Sequence, residues 1–338
     1  MIGTLAVVGA ACLGPAVAGP GTQTRTSETC QGAHTHVVIV TGLAGEPQYR
    51  AAFAKLGGQL RDVAQDRWGV ADSNLHYLAE DPAADKTRVT GRSTKAEVLA
   101  AIAATAARAR PSDVVVLFLA GHGSQQGEVP QLNLPGPDLT AADLALALEA
   151  LSRQTVVVVN TASASGGFVP ALAGRGRIVI TATKSGFERN ATTFGEWFAR
   201  ALTTDEADAD KNGRLSVAEA YSYARREVAR SYQAAKRLLT EHAQLDDDGD
   251  GKGASELSAN GDGGLARMVS FALVKDAPVT DPKVAALITE RRQLEAAIAT
   301  LRSRKAAMDS TAYQDEFERL VIRLAEVNEA IRAGGAKP

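Results

Sequence analysis

Apolar residues recur along the chain in two different rhythms. Short, nearly unbroken runs occur at Val37–Thr41, Asn74–Leu78, Val114–Ala120, Val156–Thr161 and Ile178–Thr183, each bounded by polar or turn residues. Such runs predict strands buried on both faces, hence a mainly parallel sheet with crossover helices. Between them the spacing changes to three and four, which predicts helices over Tyr49–Trp68, Lys95–Arg108, Ala141–Leu151 and Phe194–Leu202. A further helix is expected from Val217 to about Leu239, and a sixth strand over Arg267–Val274. The order is that of an α/β domain, with boundaries at 34–275.

Beyond residue 275 the pattern is different. Asp276-Ala277-Pro278 and Pro282 mark a linker over 276–282, and two Ala/Glu/Arg-rich helical stretches fill 283–333. Leu287, Leu294, Leu301 and Met308 recur every seven residues, and Tyr313, Phe317, Leu320, Leu324, Val327 and Ile331 step by four and three. This spacing predicts a helical hairpin with a coiled-coil seam. Its two helices either pack on each other or use the same seam for a homodimer.

At the other end, Ile2–Pro20 is small, apolar and uncharged, and Ala16-Val17-Ala18 suits a signal peptidase. Residues 1–18 are therefore expected to be a signal peptide and 19–33 an extension, so the protein is expected to be secreted or periplasmic. Four glycines and two prolines in that stretch argue against an integral membrane span. Cleavage would leave Cys30 alone, so no internal disulfide is expected. A net charge of −2 with no basic tract excludes a long-range attraction to nucleic acid.

One motif carries specific chemistry. Asp208, Asp210 and Asn212 place side-chain oxygens at positions 1, 3 and 5 of a twelve-residue loop. Gly213 permits the sharp turn at position 6, Arg214 offers its carbonyl, Ser216 stands at position 9, and Glu219 closes the loop with both carboxylate oxygens. That is the oxygen-rich shell of an EF-hand, and calcium is the expected cofactor. Asp246, Asp248 and Asp250 repeat the first three positions, but Leu257 stands at the twelfth, leaving Glu256 or Asp262 to complete a weaker site. With one complete loop, calcium is expected to clamp the connection 203–262 rather than to act as a sensor.

Two strand ends gather reactive groups. The third strand runs into Gly121-His122-Gly123, and the fourth into Ala162-Ser163-Ala164-Ser165-Gly166-Gly167. Open parallel sheets place their sites at such carboxyl ends. His34, His36, His76 and His242 show no metal-ligand spacing, and Lys184 and Arg189 read as loop charges.

On these features the chain resembles the legumain and caspase-like superfamily of cysteine peptidases over roughly residues 34–275. His36-Val37-Val38-Ile39-Val40 with Gln48-Tyr49-Arg50, Gly121-His122-Gly123, Thr161-Ala162-Ser163-Ala164-Ser165-Gly166, and Ile178–Thr183 followed by Phe194-Gly195-Glu196-Trp197-Phe198 carry it. The resemblance implies a caspase-like, mainly parallel six-stranded sheet flanked by helices. It implies His122 as the catalytic histidine, amides of Gly123 and Ser163 as an oxyanion hole, and Arg50 lining the pocket for the substrate residue before the cleaved bond. The family's nucleophilic cysteine falls on Ser163, and Ala164 and Thr161 replace acidic residues of that pocket. A serine needs a base within hydrogen-bond reach, whereas a thiol ionises readily. Two functions stay open: a peptide hydrolase using Ser163 and His122, or an inactive homologue that binds a peptide or protein on a calcium-stabilised scaffold.

Overall fold

The computed structural model describes residues 34–258, 261–271, 281–303 and 308–333. The signal-peptide and extension expectations at 1–33 and most of the linker lie outside them. In chain order the elements are β1 (Thr35–Thr41), α1 (Pro47–Asp62), β2 (Leu75–Ala79), β3 (Gly91–Arg92), α2 (Lys95–Arg108) and β4 (Val114–Ala120). There follow β5 (Gly123–Gln126), β6 (Val129–Leu132), β7 (Leu139–Thr140), α3 (Ala141–Leu148), β8 (Thr155–Asn160), α4 (Val169–Leu172) and β9 (Arg177–Thr181). The chain continues through α5 (Phe194–Ala201), β10 (Leu215–Ser216), α6 (Val217–Ala234), β11 (Gln244–Asp246), α7 (Gly264–Met268), β12 (Ser270–Phe271), α8 (Pro282–Ser303) and α9 (Ser310–Ala333).

The central sheet has seven strands, not six, in the order β11-β9-β8-β4-β1-β2-β3. All neighbours are parallel except β11, which runs antiparallel along β9. The expected strand at Arg267–Val274 is a correction. Residues 264–268 are helical, and Ser270–Phe271 pairs with Leu215–Ser216 in a separate two-stranded ribbon. Phe271 leaves the sheet because its ring stacks on Trp68 at 4.7 Å and 6°. Residues 272–274 lie outside the described residues. The short antiparallel strands β5, β6 and β7 carried no sequence signal, being polar and broken by Gly127 and Pro130.

Both faces of the sheet are buried, as the continuous Val/Ile runs require. Val37, Ile39, Val116, Phe118, Val157 and Val159 face Leu56 of α1, Phe198 of α5 and Tyr221 of α6. Their strand neighbours Val38, Val40, Val115, Leu117, Val156 and Val158 face Ile102 of α2, Leu144 of α3 and Leu172 of α4. Helix starts are set by local chemistry: Thr94, Thr140 and Ser216 each cap the amide three residues on, the last two in reciprocal capping boxes with Asp143 and Glu219. In the C-terminal helices Val284, Ile298, Leu301, Val327 and Ile331 are buried, and Arg323 of α9 pairs with Glu290 of α8 at 2.7 Å. No helix among the described residues is long and apolar enough to cross a membrane.

Candidate functional site at the carboxyl ends of β4 and β8

β4 and β8 are adjacent and parallel, so His122 and Ser163 leave the same edge of the sheet side by side. Thr161 stays tied to β4, its amide and hydroxyl both donating to the Leu119 carbonyl at 2.7 and 3.1 Å. Asn160 turns its side-chain oxygen back to accept the Ala162 amide at 3.1 Å. Ala164 then adopts a left-handed conformation, φ +52°, which costs a residue with a Cβ of order 1 kcal/mol. Its amide donates to the Glu188 carbonyl at 2.7 Å. The turn is thus held in a strained shape that presents Ser163.

Among the described residues the Ser163 hydroxyl is engaged by Gly123 alone. It accepts the Gly123 amide at 3.2 Å and donates to the Gly123 carbonyl at 3.3 Å. Two backbones can approach this closely only because Gly123 lacks a side chain; a Cβ there would stand 2.3 Å from the Ser163 carbonyl oxygen. Gly166 has the same requirement, with the Lys184 carbonyl carbon and the Ser185 nitrogen each 2.3 Å from a would-be Cβ. His122 is placed otherwise. Its ring lies edge-on to Tyr49 (4.5 Å, 86°) and Phe53 (5.2 Å, 67°), and among the described residues it makes no hydrogen bond to Ser163. The expected oxyanion donor Gly123 points at the serine oxygen itself. Ser163 is only 3% exposed. Arg50 is exposed and turned to Glu80 at 3.4 Å, while the other Glu80 oxygen accepts the Ala44 amide.

Sequence reading missed the residues that brace this turn. Glu188, whose carbonyl holds Ala164, accepts the His242 ring at 2.7 Å and the amides of His242 and Lys184. Gln244 donates its amide to the carbonyls of Lys184 and Gly166 at 3.2 and 3.5 Å. Glu241 is 2% exposed and caps α5, taking the Thr193 amide and hydroxyl and the Phe194 amide at 2.8–3.0 Å. Apart from Lys184 and Ala164 with Glu188, these partners are 47 to 78 residues apart in sequence, so no local pattern announces them. Of the remaining histidines, His36 pairs with buried Asp113 at 3.1 Å, and burial, Arg108 and His36 hold the His76 pKa below its ordinary value.

The two acidic loops share one backbone plan. The first aspartate of each accepts the amide of the glycine five residues on, Gly213 to Asp208 at 2.9 Å and Gly251 to Asp246 at 2.7 Å, with both glycines at positive φ. Asp210 and Asn212 each accept the amide two residues ahead, and so do Asp248 and Asp250. Oxygens of Asp208, Asp210 and Glu219 lie within 4.8 Å of one another, as do those of Asp246, Asp248 and Asp250. Glu219 reaches across its loop, Oε1 accepting the Ala209 amide and Oε2 the Ser216 amide and hydroxyl. Burial and then the charge of Glu219 push the Asp210 pKa up. Converging carboxylates with hard oxygen donors and a loop-closing glutamate fit a calcium ion, which would be held by Asp208, Asp210, Asn212, the Arg214 carbonyl and Glu219. In the second loop Glu256 pairs instead with Arg225, and Asp262 turns to the loop backbone. It is 6% exposed, accepts the Asp247 amide at 2.9 Å, and adds to burial in raising the Asp246 pKa.

Among solved structures, the chain is similar to the crystal structure of caspase-1 from Spodoptera frugiperda, 11% identical, with a TM-score of 0.42 over 64% of this chain and 86% of that one. No curated protein matches the sequence. The Peptidase C13 family model matches residues 87–244, leaving β1, Tyr49 and Arg50 outside the matched segment. From just before β3 to the first residue of β11, a stretch that includes both His122 and Ser163, the chain is similar to the Peptidase C13 family.

Proposed function

We propose that this protein is an exported, calcium-stabilised member of the peptidase family whose cleft binds a peptide segment but turns it over slowly or not at all. Ser163 stands where the family's motif carries its cysteine. The observation that carries the reading is the hydroxyl itself, which spends its donor and its near acceptor contact on Gly123 while His122 sits between Tyr49 and Phe53. A serine without a base in hydrogen-bond reach is a poor nucleophile. Calcium at Asp208, Asp210, Asn212, Arg214, Ser216 and Glu219, with a second ion at Asp246, Asp248, Asp250 and Asp262, would clamp the connection 203–262 that carries α6 and β11. Exposed, aspartate-rich loops of this kind suit the higher calcium levels outside the cell.

The test is active-site labelling with a fluorophosphonate probe in the presence of calcium. The expected result is no labelling of Ser163, alongside saturable binding of peptides in a polarisation assay. Labelling of the wild type that disappears in Ser163→Ala would overturn the reading in favour of a serine hydrolase.

A further inference from the structure

A cavity of about 380 Å³ opens between α6, the start of α5 and the segment leading into β11. Its floor is apolar: Ala182, Phe194 and Val228 are buried there, and Leu239 forms one wall. Its rim is cationic, with Arg225, Arg226 and Arg230 rising from consecutive turns of α6. Arg226 and Arg230 share one carboxylate, Glu227, at 3.0 and 2.8 Å, so that trio keeps a net positive charge, and both guanidinium-bearing side chains remain 45% and 65% exposed. Arg225 meets Glu256. Glu241 also lines the cavity, but its oxygens are turned onto the first amides of α5. Where α6 ends, Lys236 and Arg237 add two more cations, Arg237 lying over the Tyr232 ring, and Leu238 between them and the cavity wall is 88% exposed. Along the chain these cations are interrupted by Glu227 and by apolar residues and form no tract. The fold is what sets an apolar hole beside them.

We propose that this cavity is a second ligand site, separate from the cleft at Ser163, that takes an anionic amphiphile. The apolar chain would lie on Phe194, Val228 and Leu239, and the charged end among Arg225, Arg226 and Arg230. A hole of this size with an apolar floor and a few polar groups at its mouth has the form of a small-molecule site. Guanidinium groups match carboxylate and phosphate oxygens in forked pairs, and they are weakly hydrated enough to trade one carboxylate partner for another. A free amphiphile and a membrane lipid present the same chemistry, and Leu238 with Lys236 and Arg237 beside the mouth would suit the second source.

The experiment uses the calcium-loaded protein with decanoate and decanol in calorimetric titrations, and sedimentation with phosphatidylcholine vesicles with and without phosphatidylglycerol. Decanoate is expected to bind, with decanol and the double variant Arg226→Gln/Arg230→Gln each at least about tenfold weaker. Ala229→Trp, which fills the mouth and keeps every charge, is expected to abolish binding. Sedimentation only with phosphatidylglycerol vesicles, lost in the double variant, would assign the site to a lipid. Equal binding of decanol and decanoate, unchanged binding by either variant, or no binding to decanoate or to acidic vesicles would overturn the proposal. Fluorophosphonate labelling and peptide binding at Ser163 are independent of all these outcomes.

Discussion

Ser163→Cys is the substitution with the most to reveal. In the wild type both near partners of the hydroxyl belong to Gly123, at 3.2 and 3.3 Å, and His122 is held by two aromatic rings. A positioned general base contributes about 10²–10⁴ to a rate. At about 1.4 kcal/mol per tenfold, the wild type forgoes about 3–5 kcal/mol of barrier lowering. A thiol needs no such contact, because with a pKa of about 8.5 roughly a tenth of it is ionised at about pH 7.5. Ser163→Cys should therefore cleave peptides about 10²–10⁴ faster than the wild type, with a rate that rises with pH through the thiol range. Initial rates on a set of fluorogenic peptides, normalised by iodoacetamide titration of the new thiol, measure the ratio. Ser163→Ala supplies the background. A wild-type rate within about tenfold of the cysteine variant would refute the argument from base geometry. A variant thiol that iodoacetamide modifies but that cleaves nothing would show that the rest of the machinery is gone as well.

Four further outcomes follow from other contacts. Calcium at about a hundredfold over its Kd should stabilise the fold by about 2.7 kcal/mol, a rise in Tm of several degrees that Asp208→Ala and Glu219→Ala each remove. In chelator, Asp210, Asp246 and Asp262 hold their protons more tightly folded than unfolded. Their contribution is thus present at low pH and lost as pH rises through the folded pKa values, a slope that calcium should flatten in calorimetric scans. Glu241→Ala strips the buried cap of α5 and leaves two backbone amides and a hydroxyl without acceptors, which should cost about 3 kcal/mol in urea denaturation; a loss under about 1 kcal/mol would refute that role. For Asp113, burial alone would raise the pKa, but the amides of Arg110 and His34 and the His36 ring hold it below the ordinary carboxylate value. Its contribution is present above about pH 4 and lost as pH falls through the folded pKa, so Asp113→Asn should lower stability near neutrality and weaken the acid transition.

Much of the scaffold was legible in the chain. The Val/Ile runs specified five central strands to within a residue or two, because burial on both faces leaves no position for a polar side chain. Helix α2 begins and ends as its spacing predicts. In the first acidic loop the spacing brings oxygens of Asp208, Asp210 and Glu219 within 4.8 Å of one another, because the three residues lie within one twelve-residue turn of chain. His122 and Ser163 were likewise placed at neighbouring strand ends by their runs alone.

Tertiary structure decided what local patterns leave open. The short antiparallel β11 contains only one apolar residue and carries no periodic signal, while the more apolar Arg267–Val274 loses Phe271 to a stack on Trp68. Between Glu256 and Asp262 the sequence had no means of choosing; in the structure Glu256 pairs with Arg225 and buried Asp262 accepts the Asp247 amide. The direction of the Ser163 hydroxyl depends on Gly123, forty residues away, and the bracing of its turn depends on Glu188, His242 and Gln244. Spacing along a chain fixes contacts made within a turn, a strand or a loop. Which charge meets which, and where a hydroxyl points, is set by the packing of distant elements, and on that packing the function proposed for this cleft depends.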